Sequence, residues 1–192
     1  NLNGTTGARG KTWLKKMPLS MFEDVVAQCS DLGLNIVNLD GSGEATLNSN
    51  LPRYIEIVKK YSAQAYIFSN GYNMNGQFMK DCVDAGLSFF RFSIIGYNTN
   101  IDYEIEQYLK IVNSADVGTE IWKMHNWSGV YDSNYIRSGE TKTCGRPFSP
   151  DIVIRAGGNN GKTGAVHPCC QVLGNDSEAV LGHTSDTSIK DI

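Results

Sequence analysis

The chain has no surplus of basic residues. Seventeen Lys and Arg stand against twenty Asp and Glu, for a formal net charge of -3. The electrostatic footprint of a nucleic-acid-binding domain is therefore missing. No apolar run approaches membrane-spanning length, and no secretory leader is visible at the N-terminus. Neither nucleic acid nor a membrane is expected as a partner. An even cysteine set is also lacking. The five cysteines, at 29, 82, 144, 169 and 170, are an odd number for a disulfide framework. The grouping of Cys144, Cys169 and Cys170 suits metal ligation in a reducing cytoplasm better than secretion. What is present is ordinary globular material: 192 residues, 41% hydrophobic and 19% charged, enough for one core or a core plus a small module.

Helical and extended patterns alternate along most of the chain. Residues 1–17 are glycine-rich and basic, without periodicity. Ser20 and Glu23 fit a capping box, and Phe22, Val25, Val26, Cys29 and Leu32 share one helical face before Gly33 stops the helix. "LNIVNL" follows as a buried strand. Pro52 can open the next helix, with Leu51, Ile55 and Val58 inward, and "QAYIFS" is the strand after it. Phe78, Met79, Cys82 and Val83 line a third helix that Gly86 closes. "LSFFRFSI", a helix over 102–114, and "GTEIWKM" complete four units. Continuous apolar strands between helices mean a parallel α/β sheet, open or barrel-like. Farther on the pattern changes: "DIVIRA", a glycine-rich turn and "TGAVHP" read as a hairpin. A domain boundary is expected between Asn134 and Lys142, giving units 1–138 and 139–192. The chain opens on Asn1 rather than Met and closes on "SIKDI", which reads as a helix cut short, so a fragment is expected.

Ligands of parallel α/β folds bind at the C-terminal strand ends. Here those ends read "DGSGE", "SNG", "SIIGYN" and "MHNW". Gly41 and Gly43 let backbone approach a ligand closely, and Glu44 can accept hydrogen bonds from an amine. The plainer alternative is a solvated loop with an exposed carboxylate, and the spacing alone leaves both open.

The order of motifs adds to this. "MPLSMFEDVVAQCSDLGLNIVNLDGSGEATLNSNLPRYIEIVKKY", then "IFSNGYN", then "FFRFSIIGYN", resembles the radical SAM superfamily in sequence, spacing and order. The resemblance implies a partial (β/α) barrel. It implies that Gly41, Ser42, Gly43 and Glu44 hold the amino group of S-adenosylmethionine. Ser69 and Asn70 match the small polar pair after the next strand, and Ser93 matches the strand-end serine that contacts the cofactor's ribose or carboxylate. The segment from Cys144 onward is similar to the start of a SPASM or twitch module, with Cys144, Gly164 and Cys169 in its pattern; Cys144 and Cys169 would be ligands of an auxiliary iron–sulfur cluster. The family's activity is reductive cleavage of S-adenosylmethionine at a 4Fe–4S cluster fed by an external electron donor. The radical formed then takes a hydrogen atom from a substrate, which in relatives with this module is a peptide, a protein or a small molecule.

The family's CxxxCxxC cluster motif is missing from this chain, since no cysteine precedes Cys29; it is either truncated away, the simpler expectation, or truly lost. The chain alone is expected to be inactive in that chemistry. A degenerate, non-catalytic barrel that binds a partner is the alternative. An ordinary barrel lyase or aldolase would need a strand-end Lys or paired carboxylates; Lys123 reads as internal to its strand. "AGGNNGKT", 156–163, matches a relaxed P-loop, but Pro168 falls inside the helix a P-loop requires. His167, Cys169 and Cys170 could suggest zinc, yet no second CxxC pair completes a tetrahedral set. His125 and Trp127, at a strand end, read as packing residues, and Cys170 as structural.

Overall fold

A computed structural model describes residues 16–40, 44–70, 75–94, 101–123, 151–157, 162–168 and 180–192, with backbone alone at 93–94, 101–105 and 120–123. The chain divides into two compact units, Phe22–Met124 and a second built from Asn1–Met21 with His125–Ile192. The expected boundary between Asn134 and Lys142 lies outside the described residues.

The first unit holds helix α1 (Leu19–Asp31) from Phe22 onward, with α2 (Leu51–Lys60), α3 (Gly76–Asp84) and α4 (Ile101–Ser114). They alternate with strands β1 (Ile36–Asn38), β2 (Gln64–Ser69), β3 (Leu87–Ile94) and β4 (Gly118–Lys123). The strands form one parallel sheet in the order β1-β2-β3-β4. Sequential order with right-handed crossovers sends every connecting helix to the same face. Burial along the strands agrees. Ala65, Ile67, Ser69, Phe90 and Phe92 are buried, while Tyr66, Phe68, Phe89 and Arg91 between them are half-exposed. The register slips between Ala65 and Tyr66, where Leu87 and Phe89 are their partners. The extra residue, Ser88, lets both Leu87 and Phe90 point to the buried side.

Local chemistry explains most helix ends. At the end of α1, Gly33 adopts φ +87°, and the Leu34 amide reaches back to the Cys29 carbonyl, a glycine-dependent stop. Asn75 caps α3 by accepting from the Phe78 amide at 2.8 Å. The capping box expected at Ser20 does not form: α1 already begins at Leu19, and Glu23 accepts from Lys60 Nζ instead. Tyr54 joins the expected inner face of α2 and meets Phe22 edge-to-face, with ring centroids 5.0 Å apart.

β1 corrects a second expectation. It is a sheet edge among the described residues, not a buried strand, so Ile36 is 45% exposed and Asn38 is exposed. An apolar triplet resembles a core strand whether or not a neighbour covers it.

In the second unit, β5 (Val153–Arg155), β6 (Ala165–His167) and β7 (Gly182–His183) form an antiparallel sheet in that order. The hairpin of β5 and β6 was expected; β7 was not. Ala165, Val166 and His167 are fully buried. A strand, not a helix, follows the glycine-rich turn, which removes the P-loop reading. The C-terminal "SIKDI" forms one 3-10 turn, Ile189–Asp191.

Candidate functional site

One side chain ties the turn Ala45–Leu47, which follows β1 in the chain, to the C-terminal end of β2. Glu44 opens a 3-10 turn, Ala45–Leu47, in extended conformation. Its Oε1 accepts from the Thr46 amide at 3.1 Å, from Thr46 Oγ1 at 2.7 Å and from Ser69 Oγ at 2.6 Å. Its Oε2 accepts from the Asn70 amide at 3.0 Å. Thr46 and Ser69 are buried, while Glu44 and Asn70 are half-buried. The local logic is plain. A carboxylate at a turn's N-terminus takes up amides the turn leaves open, and Ser69, on the helix side of β2, has no water to bond.

Among the described residues, Oε2 accepts from Asn70 alone. A carboxylate offers about four lone-pair sites, so Oε2 has room for one more donor, such as a ligand ammonium. The expected residues Glu44, Ser69 and Asn70 are therefore brought together. Thr46, which completes the group, was not expected. Its signal was a hydroxyl two residues after the carboxylate, within reach of a turn-opening side chain.

Gly41, Ser42 and Gly43 lie outside the described residues. Ser93 is the second-last residue of β3 and pairs in register with Trp122, beside Ser69 and Phe92 on the neighbouring pair of strands. Its side chain is outside the description. Asp40, just before the glycines, is open to solvent. Surrounding protein nevertheless pushes its carboxyl up from 3.8 to about 6, while its own backbone and Arg91 pull it down. The guanidinium of Arg91 lies over the Phe68 ring at 4.6 Å, a cation held by an aromatic face.

The metal-ligand expectations fall mostly outside the description: Cys144, Cys169 and Cys170 are there, as are His125 and Trp127. His167 is described and is fully buried on β6. Cys29 and Cys82 are free thiols. Burial raises the Cys29 thiol, and burial with Asp81 pushes the Cys82 thiol up to about 12. Both suit a small core hydrophobe and oppose the thiolate a metal needs. Among the described residues no three His, Cys, Asp or Glu side chains group as a metal site. Lys123, read as internal to its strand, is the last residue of β4 as described. No helix among the described residues is long and apolar enough to cross a membrane.

Gly164, a member of the expected cluster pattern, has a structural explanation. It sits at φ +70°, and a Cβ there would lie 1.8 Å from Thr184 Oγ1 and 2.6 Å from Met21 Cε. The Thr184 amide bonds the Gly164 carbonyl at 3.0 Å.

No protein-family model matches the sequence, and no curated protein matches it. Six chains of solved structures do. The chain is similar to BtrN in complex with AdoMet and 2-DOIA, with a TM-score of 0.67 and 16% identity, over 92% of this chain and 69% of that one. It is similar to selenomethionine BtrN in an open conformation, with a TM-score of 0.60 and 15% identity, over 92% of this chain and 67% of that one. At these identities the likeness shows the fold: a mixed α/β chain of the same architecture as BtrN.

Proposed function

We propose that this chain is the S-adenosylmethionine-binding part of a radical SAM enzyme. The observation that carries the reading is Glu44, a carboxylate that ties the turn after β1 to the end of β2 in a chain folded like BtrN. BtrN is a radical SAM enzyme, and one of its structures holds AdoMet. In this reading the four parallel strands are part of a (β/α) barrel. Gly41, Ser42, Gly43 and Glu44 receive the ligand's amino group, Asn70 shapes the adjoining wall with Ser69 buried behind Glu44, and Ser93 meets the ribose or carboxylate. The antiparallel sheet is then the start of a SPASM or twitch module, with Cys144 and Cys169 as candidate cluster ligands. The substrate, a peptide, a protein or a small molecule, and an external electron donor are partners of the whole enzyme.

A 4Fe–4S cluster needs three convergent thiolates. The sequence has no CxxxCxxC, and the described thiols are Cys29 on α1 and buried Cys82 on α3. The described residues do not fit the cluster. What this chain's own residues do is bind and orient. A carboxylate meeting an ammonium makes charge-assisted hydrogen bonds, worth about 1.5–3 kcal/mol each.

Isothermal titration of the chain with S-adenosylmethionine tests the reading. Saturable one-to-one binding is expected, weakened about tenfold or more in Glu44→Ala. A wild-type chain that takes up no S-adenosylmethionine refutes it.

A further inference from the structure

Glu44 does more at this site than face a ligand, and two hydroxyls govern how it does so. A serine or threonine hydroxyl carries one proton. Thr46 Oγ1 places its proton on Glu44 Oε1 at 2.7 Å, and Ser69 Oγ does the same at 2.6 Å. Both protons are thereby committed. At 3.5 Å either hydroxyl could donate to the other, but each has one proton, and the shorter, charged acceptor Oε1 competes for both. With the Thr46 amide also on Oε1, that oxygen is filled. All interaction with a ligand falls to Oε2, which already holds the Asn70 amide across 26 positions of sequence.

We propose that Thr46 and Ser69 are positioning residues for the ligand of this site. They clamp Oε1, which fixes where Oε2 sits between the Asn70 amide and an incoming ammonium. The clamp also sets the spacing of the loop after β1 against the end of β2. This rests on the reading that the site binds S-adenosylmethionine. It differs in making the ligand's affinity depend on two hydroxyls that never touch it. Thr46 is 6% exposed and Ser69 2% exposed, so neither offers a surface to a ligand. Their effect on the ligand passes through Glu44.

The experiment uses the full chain with Thr46→Val, Thr46→Ser and Ser69→Ala. Valine keeps the shape of threonine without its hydroxyl, and serine keeps the hydroxyl. Two quantities are read: amide hydrogen exchange at Asn70, Ile55 and Phe90 without ligand, and the Kd for S-adenosylmethionine. Thr46→Val and Ser69→Ala are expected to speed exchange at Asn70 about tenfold, the worth of one hydrogen bond to a charged group. Exchange at Ile55 and Phe90, deep in the core, should not change. Both variants should raise Kd by a similar factor, and Thr46→Ser should keep both quantities within about twofold of wild type. The proposal is overturned if Asn70 exchange and Kd stay at wild-type values in Thr46→Val and Ser69→Ala. It is equally overturned if Ile55 and Phe90 exchange rises as much as Asn70, since the substitutions then loosen the whole unit. A wild-type chain without S-adenosylmethionine binding defeats the functional reading instead, and the Asn70 exchange still decides whether the clamp exists.

Discussion

Glu44→Gln is the obvious substitution at the site, and the hydrogen bonds decide what it can measure. A glutamine presents one acceptor and one NH2 donor. Turned either way, its NH2 meets a donor: the Asn70 amide on one side, or the amide and two hydroxyls on the other. A half-buried donor left without its acceptor costs about 1–3 kcal/mol. Urea unfolding of Glu44→Gln should therefore show a stability loss of about that size before any ligand is added, and wild-type stability would contradict the four-bond geometry. Asp40 gives a second residue-scale expectation. Its folded pKa is raised from 3.8 to about 6, so between these values the folded chain holds more protons than the unfolded one. Stability tied to Asp40 is then full below about pH 4 and lost as pH rises through about 6. Asp40→Asn should flatten the fall of stability between pH 4 and 7 in urea melts, and an unaltered profile would show that the carboxyl is not crowded. At this scale the sequence revealed Glu44, Ser69 and Asn70 through their strand-end positions. It hid Thr46, because nothing in "EATL" says which way a hydroxyl turns until the turn Ala45–Leu47 is formed.

Elements were legible where the apolar pattern was long. β2 and β3 have the bounds expected from "QAYIFS" and "LSFFRFSI", because runs of six and eight residues rich in aromatic and Ile side chains between two turn signals leave little choice. β7 could not be read, since Gly182 and His183 carry no periodicity. The burial of β1 was misjudged because it depends on a neighbour, not on the strand's own residues. Two element ends make firm tests. Asn75 is the side-chain cap of α3, and Asn75→Ala should cost about 1 kcal/mol in chemical unfolding. Gly164, on the approach to β6, is the harsher case. Alanine there meets both a left-handed backbone and Thr184 Oγ1. A loss of about 1–3 kcal/mol is expected for Gly164→Ala. A neutral result would return Gly164 to the role its cluster-like spacing suggested.

For the molecule as a whole, four repeats of helix and strand were enough to anticipate a parallel sheet, while its strand order, β1-β2-β3-β4, came only with the structure. Whether such a sheet closes into a barrel depends on curvature and on further strands, which no run of residues announces. The same distinction separates binding from chemistry. The strand ends that would hold S-adenosylmethionine are partly present in Glu44, Ser69 and Asn70, whose bonds need only the turn that Glu44 opens and the end of β2. The cluster that reductive cleavage requires draws on three thiolates in one short motif, which this sequence does not contain. Binding and cleavage should therefore come apart in the chain as it stands. Anaerobic incubation with iron, sulfide, dithionite and S-adenosylmethionine is expected to leave the ligand intact, with 5′-deoxyadenosine no higher than in a protein-free control. Titration without iron should still show uptake. Product above the control would mean that other cysteines of this chain assemble the cluster, and Cys144, Cys169 and Cys170 would be the first to replace with alanine.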